Sequence, residues 1–360
     1  MFGPTQWSLT FRIAALSALA ASVSIVVLMV FLLDARFWHA LVFAAVGFAV
    51  AIAVSLPLAR HITEPLKEIA QSTADVASGR LNICLNIRSR DEIGELAAAF
   101  NQMVERLAAT QEQLAEQKKL ERELELAAAI QRSFLPAAYP WSTRFRLNAR
   151  TQPAAQVGGD FYDFIELGDE ELGLVLGDVS GKGIAAALVM AHLVSDFRYH
   201  ARLARSPATV LQGVNATAFH QSQRGMFVTA VYVVLDISQG RLRYASAGHL
   251  PLVHVPAGNG QPRTLGVTEG VPLGVLSNPQ FSEREVQLQS HDAIVAVSDG
   301  IVEARNSQGQ AFTLERLVES LRSFPQCDER VVDFVFNEMA RLGEGALPHD
   351  DMTVLSVNWC

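Results

Sequence analysis

The sequence predicts an α+β domain that is joined to a pair of membrane helices by a helical coiled coil. Three observations carry this prediction. Two long apolar runs lie within the first sixty residues, apolar side chains then recur at alternating spacings of three and four, and short apolar runs alternate with helical patterns toward the C-terminus. The order of the three parts along the chain follows from these patterns.

The two apolar runs cover residues 11–33 and 37–59. Arg12 is the single charged residue of the first run, and the second has no Asp, Glu, Lys or Arg. Each is long enough to cross about 30 Å of hydrocarbon as a helix. A signal peptide is the alternative for the first run, but no small-residue cleavage site follows it and a second span begins at once. We therefore expect a two-span hairpin over residues 1–59.

Orientation follows from the few charges that flank the spans. The turn between them is Asp34-Ala35-Arg36, while Arg12 precedes most of the first span and Arg60 and Lys67 follow the second. Basic residues favour the cytoplasmic side of a membrane. We expect an inner-membrane protein with both termini in the cytoplasm.

The overall charge and the cysteines exclude several classes of function. The formal net charge is −8 and no basic stripe with interleaved aromatic residues occurs, which argues against a nucleic-acid partner. Cys84, Cys327 and Cys360 form no Cys-x-x-Cys pair, so neither a zinc site nor a disulfide framework is indicated. The cysteines fit a reduced cytoplasm.

A helix, an extended connector and a second helix are predicted after the spans. Ser78-Gly79-Arg80 ends the first helix, and Asp91-Glu92-Ile93-Gly94-Glu95-Leu96 opens the second. Both helices carry a heptad seam, formed by Ile62, Leu66, Ile69, Thr73 and Val76 and by Leu96, Phe100, Met103, Leu107, Thr110 and Leu114. With Glu64-Pro65-Leu66 in the first helix, residues 60–112 resemble a HAMP domain. That family forms a parallel four-helix coiled coil from two chains, which implies a homodimer; a plain amphipathic linker is the alternative.

The second helix is predicted to continue as a coiled-coil linker over residues 113–136, until Leu135-Pro136 ends it. Apolar and small residues recur here as well, but counting on from Leu114 by four and three reaches Gln117 and Glu121. The seam therefore loses phase near residues 117–120, as in a stammer, which overwinds a coiled coil locally. Either this is a mechanical joint through which the HAMP unit controls the following domain, or the helices splay apart there.

Residues 137–360 are predicted to form the α+β domain, with Gly- and Asn-rich turns between its elements. We predict helices over 184–200, 314–321 and 330–342. Strands are predicted over 172–176, 227–235, 242–246, 252–255, 294–297 and 353–357.

Four aspartates stand at the ends of short apolar runs in this domain, and burial of a carboxylate is costly unless a cation meets it. They lie in Val157-Gly158-Gly159-Asp160, in Leu176-Gly177-Asp178-Val179-Ser180-Gly181-Lys182-Gly183, in Val297-Ser298-Asp299-Gly300 and in His349-Asp350-Asp351-Met352. If they converge, they build an all-oxygen site that suits magnesium or manganese.

These four motifs, in this order, resemble the bacterial branch of the PP2C-type metal-dependent serine/threonine protein phosphatases, the SpoIIE-like and sigma-factor regulatory group. The resemblance covers roughly residues 120–360 and implies two antiparallel sheets flanked by helices, an α/β/β/α sandwich. It also implies two divalent cations, Mn²⁺ or Mg²⁺, which activate a water for attack on phosphorus. The implied catalytic ligands are Asp160, Asp178, Asp299 and Asp350, with the backbone carbonyl of Val179.

Other positions are assigned with the help of the same resemblance. Asp351 is a candidate to support the ligands from behind, and Ser180 is a candidate substrate contact. His249, in Ala247-Gly248-His249, is either a substrate contact or an ordinary hydrogen-bonded histidine of a turn. Larger members of the family carry an arginine where this chain has Ala155 and a histidine where it has Ser180, so the phosphate grip and the proton donor are in question. Lys182 does not complete a Gly-x-x-x-x-Gly-Lys motif, which argues against a nucleotide site.

Two further sets of residues are predicted to be structural. Asp163 could cap a turn, and Asp292 begins a strand. The aromatic residues Phe197, Tyr199 and Phe219 are expected in the core.

The resemblance implies hydrolysis of phosphoserine or phosphothreonine on a regulatory protein, often a STAS-type anti-sigma-factor antagonist, under control of the membrane and HAMP helices. Two alternatives stay open. One is a catalytically weak membrane scaffold that binds a partner through this domain. The other is a phosphatase that acts on a small molecule, because the motifs alone do not separate protein from small substrates.

Overall fold

The computed structural model describes residues 19, 22–27, 29, 37–221, 225–258, 260–266, 270–324, 330–343 and 349–360. It divides into two compact units, Met1–Leu120 and Glu121–Cys360. The first predicted span and the turn at residues 34–36 lie largely outside the described residues; within that span, residues 22–27 are helical.

The first unit contains helix α1, Phe37–Ala77, and the beginning of helix α2, Glu92–Phe134. Within α1, the stretch Ala45–Ala77 is long and apolar enough to cross a membrane, and no other helix among the described residues meets that test. Apolar side chains along it, such as Phe48 and Leu56, are exposed. The second predicted span falls in this helix.

The connector between the helices is held by side chains at its end and at its middle. Helix α1 ends at Ala77, and Gly79 follows with a φ of 95°, a left-handed conformation that favours glycine. Asp91 accepts hydrogen bonds from the Ser89 hydroxyl and from the Ile93 backbone, which lower the pKa of its carboxyl and cap α2. Ser78-Gly79-Arg80 and Asp91 therefore bound the helices as predicted.

A small apolar core and one amide hold the connector against α2. Leu85 packs with Ala97, Phe100 and Val104 of that helix. The Asn101 side chain donates to the Leu85 carbonyl (2.9 Å) and accepts from the Leu85 N–H (2.8 Å). These two bonds give partners to the backbone N–H and C=O of Leu85, which an extended segment would otherwise leave unpaired.

The second unit holds the end of α2, which stops at Phe134 just before Leu135-Pro136, and the α+β domain. Its strands are β1 (Phe145–Gln152), β2 (Phe161–Glu166), β3 (Glu171–Val179), β4 (Val228–Asp236), β5 (Arg241–Ala247), β6 (Val253–Val255), β7 (Arg263–Thr264), β8 (Arg284–Gln287), β9 (Ala293–Val297) and β10 (Met352–Trp359). Its helices are α3 (Ile184–Leu203), α4 (Pro207–Gln221), α5 (Asp299–Glu303), α6 (Leu314–Leu321) and α7 (Val331–Gly343).

The strands form two five-stranded sheets in which every pairing is antiparallel. The strand orders are β1-β10-β9-β6-β7 and β2-β3-β4-β5-β8. Leu174, Leu176 and Val233 of one sheet pack between the sheets against Leu355 and Val357 of the other. The two sheets therefore bury their apolar faces on each other, as a sandwich does.

Each sheet buries its second face under helices. Phe197 and Met190 of α3 and Leu211 of α4 cover the β2–β8 sheet. Leu317 of α6 and Val335 of α7 cover the other sheet. The domain is thus the four-layer α/β/β/α sandwich that the family resemblance implies.

Several elements and residues differ from the predictions. Strands β1, β2, β7 and β8 and helices α4 and α5 were not predicted. Helix α4 contains Thr209, Gly213 and Asn215, which are weak helix formers, and burial of its apolar face overrides that propensity. Tyr199 and Phe219 are 62% and 37% exposed instead of lying in the core, whereas Phe197 is buried as expected.

Asp163 is structural, but it caps no turn. It lies within β2 and pairs with Arg198 of α3, whose Nε is 2.6 Å from its Oδ2. Asp292, next to β9, accepts from the Ala257 and Gln289 backbones and pairs with His254. Both carboxylates are thereby satisfied inside the domain.

Candidate metal centre

The sheet topology brings the four predicted aspartates to one end of the sandwich. Phe161 pairs with Gly177 across β2 and β3, so Asp160 and Asp178, the next residues outward, face the same edge. Val297 pairs with Val354 across β9 and β10, so Asp299 and Asp350 lie beyond that edge of the other sheet. The four residues come from four chain segments, and antiparallel pairing juxtaposes them.

A threonine hydroxyl links the two sheets at this end. Thr353, at the start of β10, lies with Oγ1 2.5 Å from Asp160 Oδ2 and 2.8 Å from Thr151 Oγ1. A hydroxyl has one proton, so Thr353 donates it to the carboxylate and accepts from Thr151. This contact fixes the orientation of the Asp160 carboxylate.

Two glycines let the backbone approach the carboxylates. A Cβ on Gly159 would lie 2.6 Å from the Val179 carbonyl oxygen and 3.0 Å from Asp178 Oδ1. A Cβ on Gly300 would lie 2.2 Å from the Asp351 carbonyl oxygen. A side chain at position 159 would displace the Val179 and Asp178 oxygens, and one at position 300 would displace the Asp351 carbonyl. Both positions therefore require glycine.

The carboxylates repel one another at this site. Burial raises the pKa of Asp160 strongly, and the charge of Asp178 raises it further. Burial, followed by the charges of Asp299 and Asp350, raises the pKa of Asp178 to about 7. Burial and the charge of Asp350 also raise the pKa of Asp299. Such mutual effects require the side chains to be close together, and they favour any cation that enters.

Asp350 stands at the solvent side of the group. Its side chain is 44% exposed, and its Oδ2 lies 3.3 Å from Nζ of Lys182. Lys182 also donates to the carbonyl of His349 at 2.7 Å. A single exposed ammonium therefore faces the acidic cluster from the loop after β3.

Asp351 points inward instead. Its Oδ1 accepts from the Ala154 N–H at 2.8 Å, and its Oδ2 accepts from the Gly159 N–H at 2.6 Å. It therefore holds the loop that precedes Asp160, in keeping with the support role predicted for it. Support of metal-bound ligands by Asp351 stays a prediction.

The two candidate substrate contacts are placed differently. His249 is buried, its Nδ1 lies 3.1 Å from Thr229 Oγ1, and burial lowers its pKa to about 4, so its imidazole is neutral at physiological pH. The Ser180 hydroxyl accepts from the Phe227 N–H at 2.8 Å. Both side chains serve the local structure here, and their contact with a substrate stays a prediction.

The donor set fits hard divalent cations. Asp160, Asp178, Asp299, Asp350 and the Val179 carbonyl supply oxygen only, which suits Mg²⁺ or Mn²⁺ and disfavours softer ions. Within the described part of the chain, no group of three or more His, Cys, Asp or Glu side chains is placed so that it could hold a metal ion without rearranging. The raised carboxylate pKa values supply the physical reason for a cation here: it would relieve the repulsion.

Two residues near the site were not singled out from the sequence. Thr353 is a polar residue that points inward from a strand whose other inward residues are mostly apolar, and that pattern was the available signal. Gln131, on the last turns of α2, bonds to Gly158. No local pattern could have revealed a contact between residues 27 positions apart.

Replacing Thr353 by valine is expected to weaken binding of Mn²⁺ about tenfold, because Asp160 loses the hydroxyl that orients it. Valine has the same shape and suits a strand, so the fold should persist. The Mn²⁺ concentration at half saturation, measured on the purified protein, checks this. Serine at 353 should restore most of the affinity, and an unchanged midpoint in the valine variant would contradict the role of Thr353.

Comparisons with known proteins identify two families in the chain. The model of the stage II sporulation protein E (SpoIIE) family matches residues 168–359, and that of the HAMP domain matches residues 58–109. Protein IcfG of Synechocystis sp. is 28% identical over 342 residues, which cover 87% of this chain and 54% of that protein. This chain thus spans about half the length of IcfG.

Two further likenesses each cover about two thirds of this chain. Phosphoserine phosphatase RsbU of Bacillus subtilis is 27% identical over 241 residues, 66% of this chain and 70% of that protein. The solved structure of the SiaA-PP2C domain of Pseudomonas aeruginosa superimposes with a TM-score of 0.60 at 22% identity, over 68% of this chain and 99% of that one. At this identity the superposition establishes a shared fold.

Proposed function

The chain belongs to the stage II sporulation protein E family, and from that premise we propose that it is a metal-dependent protein serine/threonine phosphatase. The observation that carries the proposal is the convergence of Asp160, Asp178, Asp299 and Asp350 at one end of the sandwich, where their mutual repulsion calls for cations. A phosphoric monoester is the substrate class that such a site serves best.

In this proposal the ions are held by Asp160, Asp178, the Val179 carbonyl, Asp299 and Asp350. Two bound divalent cations, Mn²⁺ or Mg²⁺, would supply an activated water and neutralise phosphoryl oxygens. Thr353 keeps the Asp160 carboxylate turned toward the site. The close approach at Gly159 keeps Asp178 and the Val179 carbonyl side by side.

The substrate that we propose is a phosphoserine or phosphothreonine of a regulatory protein, in particular a STAS-type anti-sigma-factor antagonist. The relative RsbU is named a phosphoserine phosphatase, which supports a phosphoserine substrate. Partner switching by phosphatases of the SpoIIE-like group supports a STAS-type antagonist as the protein that carries it. Removal of the phosphate would let the antagonist capture an anti-sigma factor.

Control is proposed to come from the membrane side. The parts would be a two-span hairpin at residues 1–59, a HAMP domain at 60–112, a linker at 113–136 and the phosphatase domain at 137–360. The HAMP match and the long exposed apolar helix Ala45–Ala77 support an inner-membrane anchor. The basic residues Arg60 and Lys67 after the second span favour cytoplasmic termini. Met103, Leu107 and Leu114 are 40–50% exposed on α2, which supports a homodimer seam along the HAMP unit and linker.

The test is phosphate release by the full-length protein in detergent micelles, with Mn²⁺ or EDTA. A phosphoserine-bearing STAS-domain protein and p-nitrophenyl phosphate are the two substrates. Metal-dependent release from the protein substrate is expected. Release from the small ester alone would favour a small-molecule phosphatase, and no release from either would favour a binding scaffold.

Deletion of Gln117–Lys119 tests the proposed linker joint. Removing three residues from a helix turns everything beyond by about 60° relative to what precedes it. Helix α2 is helical throughout Glu92–Phe134, so the deletion should change phase without breaking the helix. We expect phosphatase activity to change at least about fivefold, the lower range of allosteric coupling.

The matched control for this deletion removes a whole heptad beyond the joint, residues 121–127, which shortens the linker while keeping the seam in phase. Its activity should stay within about twofold of the unmodified protein. Equal activities of both deletions and of the unmodified protein would refute the joint, and equal losses in both would show that linker length matters instead.

A further inference from the structure

The last turns of helix α2 reach the loop that carries the first aspartate. Gln131 Nε2 donates to the Gly158 carbonyl at 2.5 Å, and the Gly158 N–H donates to Gln131 Oε1 at 3.2 Å. The donor and the acceptor of the Gln131 side-chain amide thus both bond to the backbone of Gly158. A two-point contact of this kind fixes direction as well as distance.

The same loop is gripped from its opposite side by Asp351. That carboxylate accepts from the Gly159 and Ala154 N–H groups, and a Cβ on Gly158 would lie 2.2 Å from its Oδ2. The loop therefore lies between Gln131 of α2 and Asp351 next to β10. Gly158 is two residues from Asp160, so the position of Gly158 sets where that carboxylate stands.

A second contact ties the same end of α2 to β2. The Arg198 guanidinium donates to the Phe134 carbonyl at 2.9 Å and also pairs with Asp163 of β2. Asp163 and Asp160 lie three residues apart, at the start of that strand. The end of α2 thus contacts Gly158 directly, and Arg198 links it to Asp163 on the other side of Asp160.

The contact between Gln131 and Gly158 is polar and directional. Leu126 and Ile130 on the preceding turns are 63% and 53% exposed, whereas Gln131 lies on the partly buried face of the helix together with Leu124, Ala127 and Ala128. A polar, directional contact is lost when the helix turns or shifts slightly, whereas apolar packing tolerates small rotations.

We propose that Gln131 is a positioning residue for the metal centre: its amide holds the Gly158 backbone and so sets the place of Asp160. This inference rests on the proposed function and extends it. The last turns of α2 then help to position the metal centre. A small rotation of those turns would change metal affinity more than it changed substrate contacts.

The experiment compares Gln131→Leu with the unmodified protein, both full-length in detergent micelles. Leucine has nearly the same volume and keeps the helix, but it makes neither hydrogen bond. We expect the Mn²⁺ concentration for half-maximal activity to rise about 10- to 100-fold, as for other residues that orient metal ligands. At saturating Mn²⁺, kcat and the substrate KM should return to within about threefold of normal.

A second readout uses the metal-free protein and no substrate. Hydrogen exchange of the Gly158 amide should become at least about tenfold faster in Gln131→Leu, because that N–H loses its acceptor. Gln113→Leu is the matched control, since Gln113 is an exposed glutamine on the same helix. It should leave both the exchange rate and the metal midpoint unchanged.

Unchanged metal dependence in Gln131→Leu, in a preparation whose unmodified protein is active, would overturn the positioning role. A loss of kcat that excess Mn²⁺ does not restore would overturn it as well, because general damage to the fold would then explain the loss. An inactive unmodified protein would count against the proposed function itself, and the Gly158 exchange rates would still decide whether the Gln131 contact exists.

Discussion

Asp299→Asn is expected to lower kcat/KM for phosphoprotein hydrolysis at least about a thousandfold, which corresponds to ~4 kcal/mol of activation free energy. Asparagine keeps the size of the side chain and removes its charge. Asp299 raises the pKa of Asp178, and Asp350 raises the pKa of Asp299, so the three carboxylates share one site. Without this charge the site should also bind fewer Mn²⁺ ions, as calorimetric titration would measure.

The control for this substitution is Asp169→Asn, in the exposed turn between β2 and β3. It makes the same chemical change away from the site and should leave activity within about twofold. Activity of Asp299→Asn within tenfold of normal at saturating Mn²⁺ would mean that Asp299 is no ligand. The assignment of the remaining aspartates would then need to be rebuilt from metal titrations of each variant.

The second large effect is a reversal of the usual dependence of stability on pH. Burial and neighbouring charges raise the pKa of Asp178 to about 7 in the folded protein, and those of Asp160 and Asp299 are raised as well. A folded state that holds protons more tightly than the unfolded chain loses stability as pH rises. The metal-free protein should therefore become less stable between about pH 4, where the unfolded carboxyls ionise, and about pH 7.

The expected loss is about 2–4 kcal/mol over that interval, because each unit of pKa shift is worth about 1.4 kcal/mol and the side chains are partly solvated. Urea unfolding in EDTA at pH 5 and pH 8, followed by near-UV circular dichroism of the second unit, would measure it. Asp178→Asn should flatten the dependence, and Mn²⁺ should stabilise the protein more at pH 8 than at pH 5. A metal-free protein that is more stable at pH 8 would contradict the clustering of these carboxylates.

Local signals in the sequence were enough for much of the fold. Helix α6 occupies residues 314–321 as predicted, because Thr313 caps it by accepting from the Arg316 N–H and its apolar residues keep a helical period. The apolar runs of β3, β4 and β9 likewise marked buried strands to within a few residues. The four-layer arrangement, in contrast, came from the family resemblance and not from these patterns.

Two missed strands differ in the signal they offered. Strand β1 has the sequence Phe-Arg-Leu-Asn-Ala-Arg-Thr-Gln, whose alternation of apolar and polar residues is typical of a half-buried strand, so its local signal was present and was not used. Strand β2 contains Asp163, whose burial depends on Arg198 from a helix 35 residues away. Such long-range compensation leaves no trace in a local window.

The same distinction applies to the site. The aspartates could be singled out because each follows or precedes an apolar run, where a carboxylate is unexpected. The contacts that orient them could not, since Thr353 bonds to Asp160 across 193 residues and Asp351 bonds to Gly159 across 192. The candidate ligands could therefore be predicted from the sequence, whereas the residues that orient them could not.

The place of β10 in its sheet has a consequence for how the protein is made. Among the strands that the structure describes, β1 pairs with β10 alone, with Phe145 opposite Trp359, so its partner leaves the ribosome about 200 residues later. At roughly 5–20 residues per second, that is a delay on the order of 10–40 s. During this time the β1 edge and the apolar faces that β10 will cover are open to aggregation or chaperones. Synthesis of residues 350–359 completes the acidic cluster and the sheet together, so the nascent chain should be unable to hydrolyse phosphoproteins until that last segment has emerged.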